Sequence, residues 1–231
     1  MAELIQSVGV WGVTLTLGAF GLGTWLSRKT GLAIFNPLLL GSIFVMIFLS
    51  LVQIPFASYQ ENVGFLNDLL LPATVSLAVP LYEQWKILKK NALAVLCGIA
   101  AGSFTSMLSV VAMSWWLRLD TAFAASLMPK SVTTAIGTEV AVELGGISSL
   151  AGAVIVLTGI VGNLSAAALC KICRLQDPVA RGVAIGTGSH AVGTAQALQM
   201  GPVEGAISSL AIAVAGILTA VICPILANYL A

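Results

Sequence analysis

The stretch 121–146, TAFAASLMPKSVTTAIGTEVAVELGG, sits between two long apolar runs yet does not read as a plain membrane span. It carries Lys130, Glu139 and Glu143, a proline at 129, and the polar run Lys130-Ser131-Val132-Thr133-Thr134. Its flanks, 121–128 and 135–145, are each about ten residues long, about 15 Å as helix, which reaches the middle of a bilayer but not the far side. The expectation is a re-entrant hairpin with its tip at 130–134. Irregular backbone at that depth is tolerated where protein or a water-filled cavity surrounds it. The alternative is that the segment crosses.

The chain of 231 residues is 58% hydrophobic and only 8% charged, against about 25% for a soluble domain. Mean hydropathy is +1.03. No Asp, Glu, Lys or Arg falls at 4–27, 30–60, 91–117, 144–170, 182–203 or 205–231. Each window accommodates the roughly 20 apolar residues that span a bilayer as a helix, and none alternates with the period of two that a membrane barrel needs. The fold class expected is an all-α polytopic membrane protein, one domain over 1–231. A net charge of +1 gives no reason to expect nucleic acid. Glu3 and the lack of a basic patch before the first apolar run speak against a cleaved signal peptide. Cys97 and Cys223 lie in apolar runs, and Cys170-x-x-Cys173 stands without a second ligand pair, so the cysteines read as structural and no metal or cofactor is expected.

Along the chain, Leu4–Leu26 forms a first apolar run ending at Arg28-Lys29. Asn36-Pro37 has the form of a helix start, asparagine as N-cap and proline at the first helical position. A third run, Phe65–Trp85, is interrupted by Pro72 and Pro80 and closed by Lys86, Lys89 and Lys90; a fourth runs Asn91–Leu117. Ser148–Ala168, Gly182–Met200 and Ala206–Tyr229 follow as ordinary or glycine-rich spans. Basic residues in short loops stay cytoplasmic. The clusters Arg28-Lys29, Lys86-Lys89-Lys90 and Lys171-Arg174-Arg181 share one side if the N-terminus is outside and residues 121–146 do not cross. That gives about seven transmembrane helices plus the hairpin, C-terminus inside, with Gly201 and Thr121 outside and Lys90 and Gln176 inside; a crossing at 121–146 gives eight. The third and seventh segments, both interrupted and oppositely directed, then suggest an inverted-repeat transporter with two broken crossing helices and a midplane site. The bland alternative is two kinked helices.

Chemistry concentrates at two places. A mid-membrane lysine is costly unless paired or hydrated, and Lys130 is flanked by the hydroxyls of Ser131, Thr133 and Thr134 beside a helix N-terminus, which attracts anions. This set suits a small carboxylate. The rival reading is a solvated loop. Glu139 and Glu143, four apart on one helix face, repel if both are charged; proton or sodium coupling is one consequence, plain solvation the other. The second place is 186–194, GTGSHAVGT. Its glycines allow a break and close approach, Thr187 and Ser189 can satisfy freed backbone, and His190, the sole histidine, can titrate near neutrality. Thr187, Ser189, His190, Gly193 and Thr194 are expected to face the same substrate from this second interrupted helix. Its rival is helix packing through small residues. No nucleophile–base–acid set is present, so an enzyme is not expected.

At these motifs the chain resembles the LrgB/CidB family of bacterial membrane proteins. The resemblance rests on 128–134 (MPKSVTT), Gly145-Gly146, 189–195 (SHAVGTA), Gly205-Ala206 and 208–211 (SSLA). It extends to 36–39 (NPLL), 66–70 (LNDLL) and 80–82 (PLY), so it covers nearly the whole chain. Ala135-Ile136-Gly137 departs from the family's Pro-Ile-Ala and removes a helix-start signal. The resemblance implies a multi-pass protein of the bacterial inner membrane with a smaller LrgA/CidA-type partner. It also implies one of two functions: a holin/antiholin-like regulator of murein hydrolase activity and autolysis, or a carrier of short hydroxy- or oxo-acids such as glycolate, glycerate and pyruvate, as in the plastidic glycolate/glycerate translocator. It further implies a cation/proton antiporter-like fold. A pore former has no need of a buried lysine or interrupted spans, so the carrier is the expectation here. A hydrophobic perimeter in contact with lipid also leads one to expect self-association.

Overall fold

A computed structural model describes residues 10–30 and 35–229. Every regular element among them is helical. The N-terminal run's first residues, including Leu4 and Glu3, lie outside the described residues, as does the loop 31–34. The chain divides into two compact units, Met1–Ser76 and Leu77–Ala231.

In the first unit, α1 (Trp11–Thr30) packs on α2 (Pro37–Val52), followed by the short helices α3 (Phe56–Asn62), α4 (Gly64–Asp68) and α5 (Leu70–Ser76). Asn36 caps α2 as expected, its side-chain oxygen accepting from the amides of Leu38 at 2.8 Å and Leu39 at 3.3 Å. Trp11, Ala19, Val45, Leu49 and Ile54 form its core.

The second unit contains α6 (Ala78–Glu83), α7 (Trp85–Leu117), α8 (Thr121–Leu127), α9 (Thr134–Glu143), α10 (Ser148–Ile172), α11 (Pro178–Met200) and α12 (Pro202–Ala227). Helices α7, α10 and α12 are long and apolar enough to cross a membrane. They show large apolar side chains outward, such as Leu93, Trp116, Leu157 and Ile217, and this perimeter needs lipid, not water. Helices α7 and α12 run in parallel: Val95 and Ile99 share a cluster with Ile207 and Ala211, and Met107 and Val111 share another with Cys223.

Two differences from the sequence reading stand out. Phe65–Trp85 is not one span broken at its prolines but three short helices, with Pro72 and Pro80 each in a first turn, where proline costs least. Lys86, Lys89 and Lys90 then lie in the opening turns of α7 instead of closing the third segment.

The larger correction concerns Gly182–Met200, expected as a crossing span with Gly201 on the far side from Gln176. It doubles back. His190 departs from helical geometry (φ 42°, ψ −142°), and the two halves of α11 lie against the same turns of α12. Arg181 pairs with Glu204 at 3.6 Å, while a Cβ at Gly205 would strike Leu198. A Cβ at Gly186 would lie 2.5 Å from the Ser208 carbonyl oxygen, and Thr194 shares a hydrogen bond of 2.6 Å with the same Ser208. In one straight helix residues 186 and 194 would stand about 12 Å apart. Gly201 therefore lies at the end holding Arg181, and Ala227 ends α12 at the opposite end, beside Leu119 and Leu144. The expected C-terminus-inside arrangement falls with it. The expected pair of broken crossing helices, third and seventh segments, is replaced by two hairpins.

Arg181 is about one-third exposed, whereas the Glu204 side chain is buried, so removing the arginine strands a carboxylate. Arg181→Ala is expected to destabilise the protein by about 1–2 kcal/mol, and Glu204→Gln in the same background to restore most of that. A thermal-melt double-mutant cycle reads this. Additive losses would mean that Arg181 and Glu204 do not meet, as expected if 182–200 crossed the membrane.

Candidate functional site

The 121–146 segment forms two short helices, α8 and α9, joined by the non-helical tip 128–133. Asp120 caps α8 through the Ala122 amide at 3.0 Å. The arms close on each other: Ser126 Oγ accepts from the Ile147 amide at 2.7 Å, and a Cβ at Gly137 would sit 3.1 Å from the Pro129 carbonyl oxygen. Thr133 occupies the N-cap position of α9 without a side-chain cap bond. The departure at Ala135-Ile136-Gly137 does not prevent the helix from starting there.

The second hairpin's tip is held from behind. His190 is buried, its Nε2 2.9 Å from the Ile155 carbonyl oxygen. Thr194 Oγ1 donates to the His190 carbonyl at 2.9 Å, and Asn163 Nδ2 to the Val192 carbonyl at 2.7 Å. Backbone acceptors freed by the break are thereby met. A Cβ at Gly159 would lie 2.7 Å from the imidazole, and one at Gly162 would strike Ser189. Small residues on α10 give the tip its room.

The two tips meet along α7. Lys130 Nζ donates to Ser106 Oγ at 2.8 Å and to Ser131 Oγ at 3.3 Å, and the two hydroxyls lie 2.9 Å apart. One turn away, Thr187 packs on Gly102. Thr187 Oγ1 and Ser103 Oγ are buried with no hydrogen-bond partner among the described residues, and both residues line one narrow void between the tips. Two cavities open from this junction. One of about 480 Å³ runs along α7 past Thr105, Ser106 and Ser109. The other, about 600 Å³, is an open groove between α10 and α11 toward Cys173 and Leu175, walled on α10 by Leu157 and Val161 of its apolar outer flank. Lys130, Ala184 and Gly188 line both.

Of the residues singled out in the sequence, Lys130, Ser131, Thr187 and Ser189 come together here. His190, Gly193 and Thr194 instead shape the second tip from its packed side. Thr133 and Thr134 line neither cavity, and Thr134 is exposed. Glu139 and Glu143 are exposed on α9 and line neither cavity. Among the described residues no carboxylate lies within ion-pair distance of Lys130. Ser103 and Ser106, which sequence reasoning missed, are wall residues of α7. Their signal was a run of serines at 103, 106 and 109, one helical face of an uncharged span.

Comparison with known proteins agrees with the resemblance. Residues 16–229 match the profile of the LrgB-like family. The antiholin-like protein LrgB of Bacillus subtilis is 33% identical over 216 residues, covering 93% of this chain and 94% of that protein. The uncharacterized protein YwbG of the same organism is 35% identical over 195 residues, 84% of this chain and 87% of its own length. The antiholin-like protein LrgB of Bacillus cereus strain B4264 is 33% identical over 215 residues, 93% of this chain and 94% of its own. No solved structure matches. With its profile matched over nearly its full length and relatives at this identity, the chain belongs to the LrgB-like family.

Proposed function

We propose that this protein carries small carboxylates across the bacterial inner membrane, binding them where the two hairpin tips meet. The observation that supports this reading is the Lys130 ammonium, held by two serine hydroxyls with no carboxylate beside it, at the wall shared by two cavities. An ammonium has three donors, and two are engaged. The third is free for an anion that enters, and the buried hydroxyl of Thr187, which lines the cavity along α7, is available to a hydroxyl or oxo group beside the carboxylate. Hairpins of opposite direction meeting at mid-depth would let either cavity open in turn, the logic of an inverted repeat. Exposed on α9, Glu139 and Glu143 have no place in this proposal as ion-coupling groups.

A second reading has its own support. The curated relatives are named antiholin-like, and these names favour a holin/antiholin-like role in the membrane over a carrier. In that role a smaller LrgA/CidA-type protein would be the partner, and the chain would regulate murein hydrolase export and autolysis. Uptake of labelled glycolate, glycerate and pyruvate into proteoliposomes, with and without the smaller protein, separates the readings. Saturable uptake supports the carrier. Its absence under both conditions, together with altered autolysis in cells lacking this chain, supports the antiholin-like role and removes the carrier.

A further inference from the structure

We infer that Gly188 sets the girth of the anion that can pass Lys130, an inference that rests on the carrier reading. Most glycines around this site are required by packing. In α11 itself, a Cβ at Gly182 would lie 2.7 Å from Ile207, one at Gly186 would lie 2.5 Å from a backbone oxygen of α12, and one at Gly193 would strike Ser189. Gly188 differs. A Cβ there meets nothing within 4 Å, and its φ lies outside the left-handed region that favours glycine. Helix propensity also disfavours it, since glycine within a helix is less stable than alanine by about 1 kcal/mol. Neither backbone nor neighbours account for the missing side chain.

Position accounts for it. Gly188 lies one turn beyond Ala184 on the exposed face of the first arm, and those two residues with Lys130 line both cavities. One cavity leads along α7 by Ser106 and Ser109, the other along α10 to Leu175 at the end that carries Lys171 and Arg174. An anion moving from one to the other passes the ammonium and the surface of residue 188, which both cavities share. With only a hydrogen there, the passage is widest. Each added methylene narrows it without disturbing the fold.

The test is a side-chain series read on the full chain in liposomes. Gly188→Ala should melt at or above the wild-type temperature. It should keep two-carbon hydroxy acid uptake while lowering that of a branched six-carbon acid by about tenfold, the cost of a modest overlap. Gly188→Leu should stay folded and take up neither. A Leu variant that melts like wild type and carries both acids at wild-type rates overturns the inference while leaving the carrier intact. Should the wild type carry no acid, the carrier reading fails by itself, and Gly188→Cys in a cysteine-free background decides the placement. Modification by an anionic thiosulfonate slowed about tenfold by Lys130→Gln, with a cationic reagent unaffected, places residue 188 beside the ammonium. Modification insensitive to Lys130→Gln, or no modification at all, makes it a lipid-facing glycine and overturns the inference.

Discussion

Lys130→Ala is expected to lower saturable carboxylate uptake by about 100-fold, roughly 3 kcal/mol, while the protein folds and inserts as before. The loss follows from charge. Ser106 and Ser131 already bond each other at 2.9 Å, so removing the ammonium strands neither hydroxyl. It also relieves the cost of holding an unpaired cation at membrane depth. Lys130→Arg should recover little, because a planar fork cannot reproduce a compact ammonium seated between two hydroxyls. Initial-rate uptake by purified variants in liposomes reads the effect, with yield and melting temperature as the folding control. A Lys130→Ala protein that melts normally and transports normally would remove the site.

The second large effect is on folding. Gly186→Val is expected to lower the melting temperature by about 5–10 °C, because a Cβ there lands 2.5 Å from the Ser208 carbonyl oxygen and 2.7 Å from the Ala211 Cβ. No rotamer relieves this, since the obstacles are backbone and a methyl that cannot swing away. The first arm must leave α12, and with it go the Arg181–Glu204 pair and the position of Thr187. Gly188→Val, two residues on, meets nothing and should leave the melting temperature nearly unchanged. Equal melting temperatures for the two valine variants would contradict the doubled-back arrangement of α11.

These two glycines show where sequence reading succeeds and where it stops. The first hairpin was legible because 121–146 departs from a span in three ways at once: internal charge, short apolar flanks and a proline before the tip. Asn36-Pro37 was legible because capping chemistry is local. The fold-back of 178–200 was not, because a 23-residue helical stretch with no acidic or basic residue between Arg181 and Glu204 has the length and composition of a span. What bends it is long-range: Gly182 and Gly186 pressed on α12, with Thr194 bonded to Ser208. The break was expected within 186–194 and falls there, though at His190 and at none of the four glycines of α11 between 182 and 193. For the site, Lys130 stood out because a lone charge in an apolar setting is conspicuous. Ser103 and Ser106 did not, because serine in a membrane helix usually bonds its own backbone. Only tertiary packing turns these two toward the hairpin tips.

The two hairpins approach from opposite ends and meet at Lys130. Sided labelling of single cysteines tests this directly, using exposed positions in an otherwise cysteine-free chain: Glu143→Cys, Gln176→Cys, Pro202→Cys and Tyr229→Cys. With an impermeant thiol reagent, Gln176→Cys and Pro202→Cys are expected to react from one side of the membrane, and Glu143→Cys and Tyr229→Cys from the other. Pro202→Cys reacting from the side that reaches Glu143→Cys would mean that residues 178–200 cross the membrane, and would contradict the account.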